Sequence, residues 1–336
     1  MLHFMADMSD KRPTLRSLAE ITGLGISTVS QALRNSPEIA HDTRERVQLA
    51  ARQMGYRPNR AGVRLRTGKT NVIALILNAQ DGGSGFFANI VYGISEALKG
   101  TPYHLVVTPY SLSDPMEPVR YVVETNSADG VIISRTQPND PRVRYLTENN
   151  MPFATHGRTD MDLTHAYYDY DNDAFVVEAL RLLKAKGRKN IALLSPPPNL
   201  NYYNHVLSGF DHGLAEGGLN GFLIAGANSD SEIGELRKVG LELATRRDAP
   251  DGIICVSSST ALALISGMQQ GGRLIGLDYD LVAKPVNDLV AMAQPSIIGI
   301  DEDFNRAGRE LARMVIERIA GTEPIVLQML DRPKVG

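Results

Sequence analysis

The hydrophobic rhythm of the chain changes near residue 70. Past that point short apolar runs ("NVIALIL", "YHLVVTPY", "DGVIIS", "NIALLS", "DGIICV", "RLIGLD") alternate with longer segments of helical periodicity, such as "ANIVYGISEALKG" and "FVVEALRLLKAKG". Short continuous runs read as buried strands and the longer segments as helices packed on them. The alternation predicts an α/β fold of parallel sheets wrapped by helices. There are too many such units for one sheet, so two doubly wound subdomains are expected, with ligands at the carboxyl ends of the strands. "DYDN", Asp169 to Asn172, offers caps for the long helix that follows, and the first crossing between subdomains is placed there.

Before residue 70 the spacing is helical only. "TLRSLAEITGLGISTVSQAL" predicts a helix capped by Thr14 with Leu15, Leu18 and Ala19 inward, a turn at Gly23, and a second helix from about Ile26. A third segment, "HDTRERVQLAARQMGY", places Val47, Ala50, Ala51 and Met54 on one face. Three short helices of this kind form a helix-turn-helix head. The second helix keeps Leu24, Val29 and Leu33 to one side, yet its other positions hold only small uncharged side chains: Ser27, Thr28, Ser30 and Gln31. Short donors and acceptors suit the edges of bases in a major groove, with cations at the margins, here Arg16, Arg34 and Arg44, near phosphates.

Charge sharpens that picture. The 336-residue chain has a net charge of −3, but Lys11 to Thr70 holds 12 Lys plus Arg against 4 Asp plus Glu, while Asn71 to Gly336 holds 23 against 32. A basic head on an acidic body lets only the head meet a polyanion. The one cysteine, Cys255, excludes an intramolecular disulfide or a thiolate cluster and reads as a buried structural thiol. No stretch approaches the roughly 20 apolar residues that span a bilayer, and the N-terminus lacks an apolar run behind a basic start. A cytoplasmic protein with no membrane partner is expected.

Catalytic signals fail on spacing. "GVRLRTGKT" separates Gly62 from Gly68 by five residues where a Walker A loop needs four, and it precedes a strand. "DGGSGFF" follows a strand but lacks the third glycine of a dinucleotide fingerprint. "VSSSTAL" has no lysine three residues on, and the seven histidines show no metal-ligand spacing. No enzyme activity, metal or cofactor is implied.

The head, continued by "GYRPNRAGVRLRTGKTNVIALIL", resembles the lactose/galactose repressor family of bacterial transcription regulators, through "TVS" in the second helix, "TRERV" opening the third and "GYRPN" closing it. Weaker landmarks in the body are "YYDYDN", "GRKNIALL", "GLDYD" and "QPSIIGIDEDFNRAGRELA". The resemblance implies a periplasmic-binding-protein-like body, a homodimer on a palindromic double-stranded operator, and a small-molecule effector, most often a sugar. It implies a DNA-binding domain at 12–57, a hinge at 58–70, and an effector and dimerisation domain at 71–336. Within the body the expected subdomains are about 71–168 with 297–321, and about 169–295 with 322–336.

By resemblance Ile26, Ser27 and Gln31 read bases, and Thr14, Thr28, Ser30 and Thr43 meet the DNA backbone, with Arg16 and Arg34 beside them. Asn59, Arg60 and Leu65 fall in the hinge segment, Leu65 at a wedge position that kinks the duplex at the minor groove. The serines usual at Gly25 and Ala40 are missing, which weakens two helix caps. The plain alternative for Ile26 is packing. For the effector, the resemblance points to Phe86 and Phe87 as an apolar wall and to Asp278 and Asp301 as acceptors of sugar hydroxyls. The body departs from the family at Val206 beside His205, at Ser257 and Ser258, and at Gly157 beside Arg158, so Arg158, His205 and Ser257 enter as altered pocket residues. The plain alternatives are a turn cap for Asp278 and a surface cation for Arg158. The function implied is repression of a sugar-utilisation operon, relieved by the sugar; the alternatives are a small-molecule binding protein and a co-repressor-type regulator responding to another metabolite.

Overall fold

The computed structural model describes residues 13–56, 68–78, 85–110, 113–284 and 297–333, and the chain divides into two compact units, Met1–Thr70 and Asn71–Gly336. The hinge residues Asn59, Arg60 and Leu65 lie outside the described residues.

Among its described residues the first unit holds three helices, α1 (Leu15–Thr22), α2 (Ile26–Leu33) and α3 (His41–Gln53). Thr14 caps α1 in a capping box with Ser17, and Gly23 ends it at φ +67°, the left-handed turn glycine makes without strain. Gly25 and Ala40 stand at the N-caps of α2 and α3, where neither helix has a side-chain cap. Leu18, Ala19, Val29, Ala32, Val47 and Ala51 form the core, with Leu15, Leu24, Leu33, Ala50 and Met54 packed against it.

The second unit contains two parallel sheets. The first runs β11-β5-β4-β3-β1-β2, from β1 (Val72–Asn78), β2 (His104–Tyr110), β3 (Gly130–Ile133), β4 (Phe153–His156), β5 (Ala166–Tyr170) and β11 (Gln328–Asp331). The second runs β10-β9-β8-β6-β7, from β6 (Asn190–Leu194), β7 (Asn220–Leu223), β8 (Gly252–Cys255), β9 (Asp280–Ala283) and β10 (Ile297–Gly299). Side chains along β1 alternate between two cores: Ile73, Leu75 and Leu77 face α4 (Gly85–Ala97) and α11 (Phe304–Ile319), whereas Ala74 and Ile76 face α5 (Glu117–Thr125) and α6 (Pro141–Glu148). The second sheet repeats the plan, with α9 (Ile233–Thr245) and α10 (Ser258–Gln270) on one face and α7 (Asn172–Ala185) and α8 (Asn201–Gly217) on the other. Helices α4 and α11 approach closely because Gly93 and Gly308 meet there; a Cβ on Gly93 would lie 2.0 Å from the Asn305 carbonyl oxygen.

The chain leaves the first sheet after β5, and Asp171 caps α7 by accepting from the Ala174 N–H, as the "DYDN" pattern predicts. The finer boundaries need two corrections. Strand β10 pairs with β9, so 297–299 belongs to the second sheet, and β11 pairs with β5, which returns the segment after residue 322 to the first. Both are edge strands of three or four residues, too short for a periodicity to reveal which sheet they join. "RLIGLD" is a turn; the strand is "DLVA", a few residues later.

Candidate functional site

In each sheet the first strand of the sheet lies inside it, β1 between β2 and β3 and β6 between β7 and β8, so the strand order reverses there. The carboxyl ends of strands at such a switch point diverge and leave a crevice. The crevice here is a cleft of about 390 Å³ between the two lobes, within the few hundred Å³ usual for small-ligand sites. Its walls come from strand ends: Asn78 of β1, Ser134, Arg135 and Thr136 after β3, His156 of β4 and Asp169 of β5 from one lobe; Ser229 and Asp230 after β7, Val256 and Ser257 after β8 and Lys284 after β9 from the other. Tyr202 and His205 enter from α8, and Glu302 and Phe304 from the crossover into α11.

Phe86 and Phe304 meet edge to face at 5.1 Å, and the His156 ring lies 5.3 Å from Phe86. The tilted rings make an apolar corner of the kind that packs against the C–H groups of a ring. The polar floor is charged but balanced. Lys284 Nζ lies 2.7 Å from Glu302 Oε2, donates to Asn172 Oδ1 at 2.6 Å, and sits 4.3 Å above the Tyr170 ring. Burial penalises the Glu302 carboxylate, but Lys284 and His156 outweigh it and hold its pKa down at about 2. Arg158 Nε lies 3.4 Å from Asp169 Oδ2. For Asp169 burial wins over Arg158 and His156, and its pKa is pushed up to about 6. Arg135 pairs with Asp230. Burial and the Arg158 cation push the His205 imidazole down, towards its neutral form.

Among the described residues, Ser134 Oγ and His205 Nδ1 are buried at the cleft with no hydrogen-bond partner, while Asp169 Oδ2 and His156 Nε2 have only the long ion pairs to Arg158 and Glu302, at 3.4 and 3.6 Å. Orphans of this kind are rare in protein interiors and are what a polar ligand satisfies. Among the described residues no cluster of His, Cys, Asp and Glu is arranged to hold a metal.

Of the effector residues expected from sequence, Phe86, Arg158, His205 and Ser257 line the cleft. Phe87 does not; it packs on the core of the first lobe. Asp278 sits in the turn before β9, at the opposite end of the strand from the cleft, where its Oδ2 accepts the Leu274 N–H at 2.7 Å. It is a turn cap, and the strand end it was expected to mark carries Lys284. Asp301 is exposed, and its carbonyl accepts from the Tyr170 hydroxyl at 3.1 Å; the neighbouring Glu302 points into the cleft. Sequence reasoning passed over Lys284, Glu302, Asp169 and Arg135. Glu302 had a signal: Ile298 and Ile300 pack in one core, and the alternation continues to Glu302.

On the head, Ile26 is half exposed at 50%, and Ser27 beside it is exposed. Thr28, Ser30, Gln31 and Thr43 are partly exposed, and Arg16 and Arg34 are exposed. Gln31 Nε2 lies 3.4 Å from Glu38 Oε2, Arg34 Nε donates to the Ser30 carbonyl at 3.0 Å, and Arg16 pairs with Glu20 at 3.4 Å. The Thr14 hydroxyl is engaged in its capping box. Arg44 donates to the Asn35 and Ser36 carbonyls and braces the loop before α3.

Residues 14–59 match the model of bacterial regulatory proteins of the lacI family, and residues 180–334 match a periplasmic binding protein-like domain. The HTH-type transcriptional regulator RafR of Escherichia coli is 33% identical over 332 residues, covering 95% of this chain and 96% of that one. A solved complex of the transcriptional regulator CelR with cellobiose is 25% identical and superposes with a TM-score of 0.71 over 96% of this chain and 98% of that one. The lac repressor dimer bound to operator and the anti-inducer ONPF, 18% identical, shares the fold with a TM-score of 0.83 over 96% and 97% of the two chains. Head, cleft and full-length similarity agree, and the chain belongs to the lacI family of bacterial regulatory proteins, DNA-binding regulators of transcription.

Proposed function

We propose that this regulator works in the cytoplasm as a homodimer that represses transcription from a palindromic operator and releases it when an uncharged saccharide occupies the cleft. The observation that carries the effector class is the charge balance of the cleft. Among the described residues that line it, Arg135, Arg158 and Lys284 each lie against a carboxylate, Asp230, Asp169 and Glu302. An anionic metabolite would have to break one of those pairs, whereas a polyol adds hydrogen bonds to the unpartnered polar atoms and stacks on Phe86 and Phe304. Ligand then acts by binding the open and closed lobes unequally. The cellobiose found in the CelR complex supports the same class. In the head, Ile26, Ser27 and Gln31 read base edges, while Thr14, Arg16, Thr28, Ser30, Arg34 and Thr43 serve the sugar-phosphate backbone. Asn59, Arg60 and Leu65 complete the reading at the hinge. The molecule is a regulator rather than an enzyme.

The test is a thermal-shift panel of mono-, di- and trisaccharides, cellobiose among them, beside sugar phosphates and nucleotides. Neutral saccharides are expected to raise the melting temperature, and the strongest of them to release a labelled operator fragment. Stabilisation by anionic metabolites alone overturns the effector class. Operator binding tightened by the saccharide overturns release in favour of co-repression.

A further inference from the structure

The Arg135–Asp230 pair joins residues 95 positions apart, one on each lobe, across the cleft. It is bidentate, with Arg135 Nη1 3.2 Å from Asp230 Oδ1 and Nη2 bonded to Oδ2. Arg135 holds a left-handed backbone, φ +56°, which a non-glycine residue adopts at a cost. The cause is visible beneath it. Arg142, buried, donates from Nη2 to the carbonyl oxygens of Ser134 and Arg135 at 3.0 and 2.9 Å. It is itself gripped by the fully buried Asp140, at 3.0 Å from Nε and 2.7 Å from Nη2. Two peptide carbonyls are thereby pinned on one guanidinium. On the other lobe the Asp230 N–H donates to Asn228 Oδ1 at 2.8 Å, and the Ser229 N–H donates to the Ser195 carbonyl at 2.9 Å. The main chain at both ends of the pair is thus anchored within its own lobe, and the Arg135 fork meets the carboxylate bidentately.

We infer that Arg135 and Asp230 form a latch that holds the two lobes closed, and that the buried Arg142–Asp140 pair is the positioning group that aims Arg135 across the cleft. The latch side chains remain 14% and 28% exposed, so the contact is reversible and weakened by salt. A surface pair without such fixing contributes little; backbone pinning on both sides separates this one from that class. The inference shares the Arg135–Asp230 pair with the saccharide proposal but concerns the unliganded chain, so a ligand-free test can fail without touching the effector class, and the ligand panel can fail without touching the latch.

The test therefore uses no ligand. Cys255, the one native thiol, is buried and stays unlabelled, so spin labels are placed at Arg144→Cys on α6 and Glu235→Cys on α9, both exposed. In the otherwise native full-length chain a short-distance population is expected. In Arg135→Ala and in Asp230→Asn that population falls below half, and molar salt has the same effect on the native pair. The charge swap Arg135→Asp with Asp230→Arg restores at least part of it, a rescue that a merely structural role does not give. Arg142→Lys, which keeps the charge but loses the fork, lowers the short-distance population without unfolding the lobe. Unchanged distances in both single variants overturn the latch. So does a swap no better than either single variant in a chain of native melting temperature.

Discussion

Lys284→Met tests how the floor of the cleft is held together. The ammonium is buried, and its partners are Glu302 Oε2 at 2.7 Å, Asn172 Oδ1 at 2.6 Å and the faces of Tyr170 and Phe175 at 4.3 and 5.1 Å. Methionine fills much of the same volume and keeps the aromatic contacts, so the change isolates the charge. Burial raises the cost of the Glu302 carboxylate, yet with Lys284 and His156 present its pKa is about 2 against a usual 4.5. At about 1.4 kcal/mol per pH unit, that difference corresponds to roughly 3 kcal/mol of stability at neutral pH. Removing one partner of a buried pair costs about 3 to 5 kcal/mol in general, the same order, although His156 supplies part of the Glu302 shift. The sign follows from the depressed value: the contribution is fully present above pH 4.5 and fades as pH falls towards 2. With no tryptophan and 12 tyrosines, urea unfolding is followed by tyrosine circular dichroism. Lys284→Met is expected to lose about 3 kcal/mol at neutral pH and distinctly less near pH 3.5. Adding Glu302→Gln should recover much of the loss, because no charge is then left buried alone. A loss under about 1 kcal/mol, or a double variant no more stable than the single, would refute the reasoning.

Effector affinity should depend on pH through Asp169, whose pKa burial raises from 3.8 to about 6 against the opposing pull of Arg158 and His156. If the ionised carboxylate accepts effector hydroxyls, calorimetric titrations will show affinity falling as pH drops through 6, by about tenfold per unit below it; Asp169→Asn should flatten the curve, and a native curve already flat would exclude this role. In the head, Gln31→Ala should relax the preference at one symmetric pair of operator positions by about 1 to 3 kcal/mol of discrimination, measured on a set of operator variants. A uniform loss at all positions would assign Gln31 to the backbone or to packing.

The fold was legible wherever a run was long enough for its period to show. The three helices of the head follow their apolar stripes, and the caps at Thr14 and Asp171 stand where the residue types place them. The doubly wound plan follows from the alternation of runs. The β-strand "DLVA" is hard to see because its four residues begin with an aspartate and are followed by a lysine, while the preceding "RLIGLD" holds just as many apolar residues. Hydropathy cannot rank two such neighbours; the backbone pairing to β8, Gly252 to Asp280 onwards, decides.

The errors in the site share that origin. A doubly wound sheet presents its chemistry on the one or two residues that follow each strand, so a shift in strand position replaces one functional residue by another of different charge. Moving the strand from "RLIGLD" to "DLVA" exchanges Asp278 for Lys284, and with it an acceptor for a donor. One residue of register at β10 exchanges the exposed Asp301 for the buried Glu302. The two exchanges are coupled: the buried lysine is tolerable only because the buried glutamate faces it at 2.7 Å. Read separately, Lys284 and Glu302 each look like surface residues. Charge conservation inside the cleft is thus a stronger guide than either position alone, since a cation at the end of one strand requires a carboxylate from another. The same rule pairs Arg158 with Asp169, and it pairs Arg135 with a residue on the opposite lobe. That last pairing cannot be read from either lobe's sequence, because it exists only when the lobes face one another.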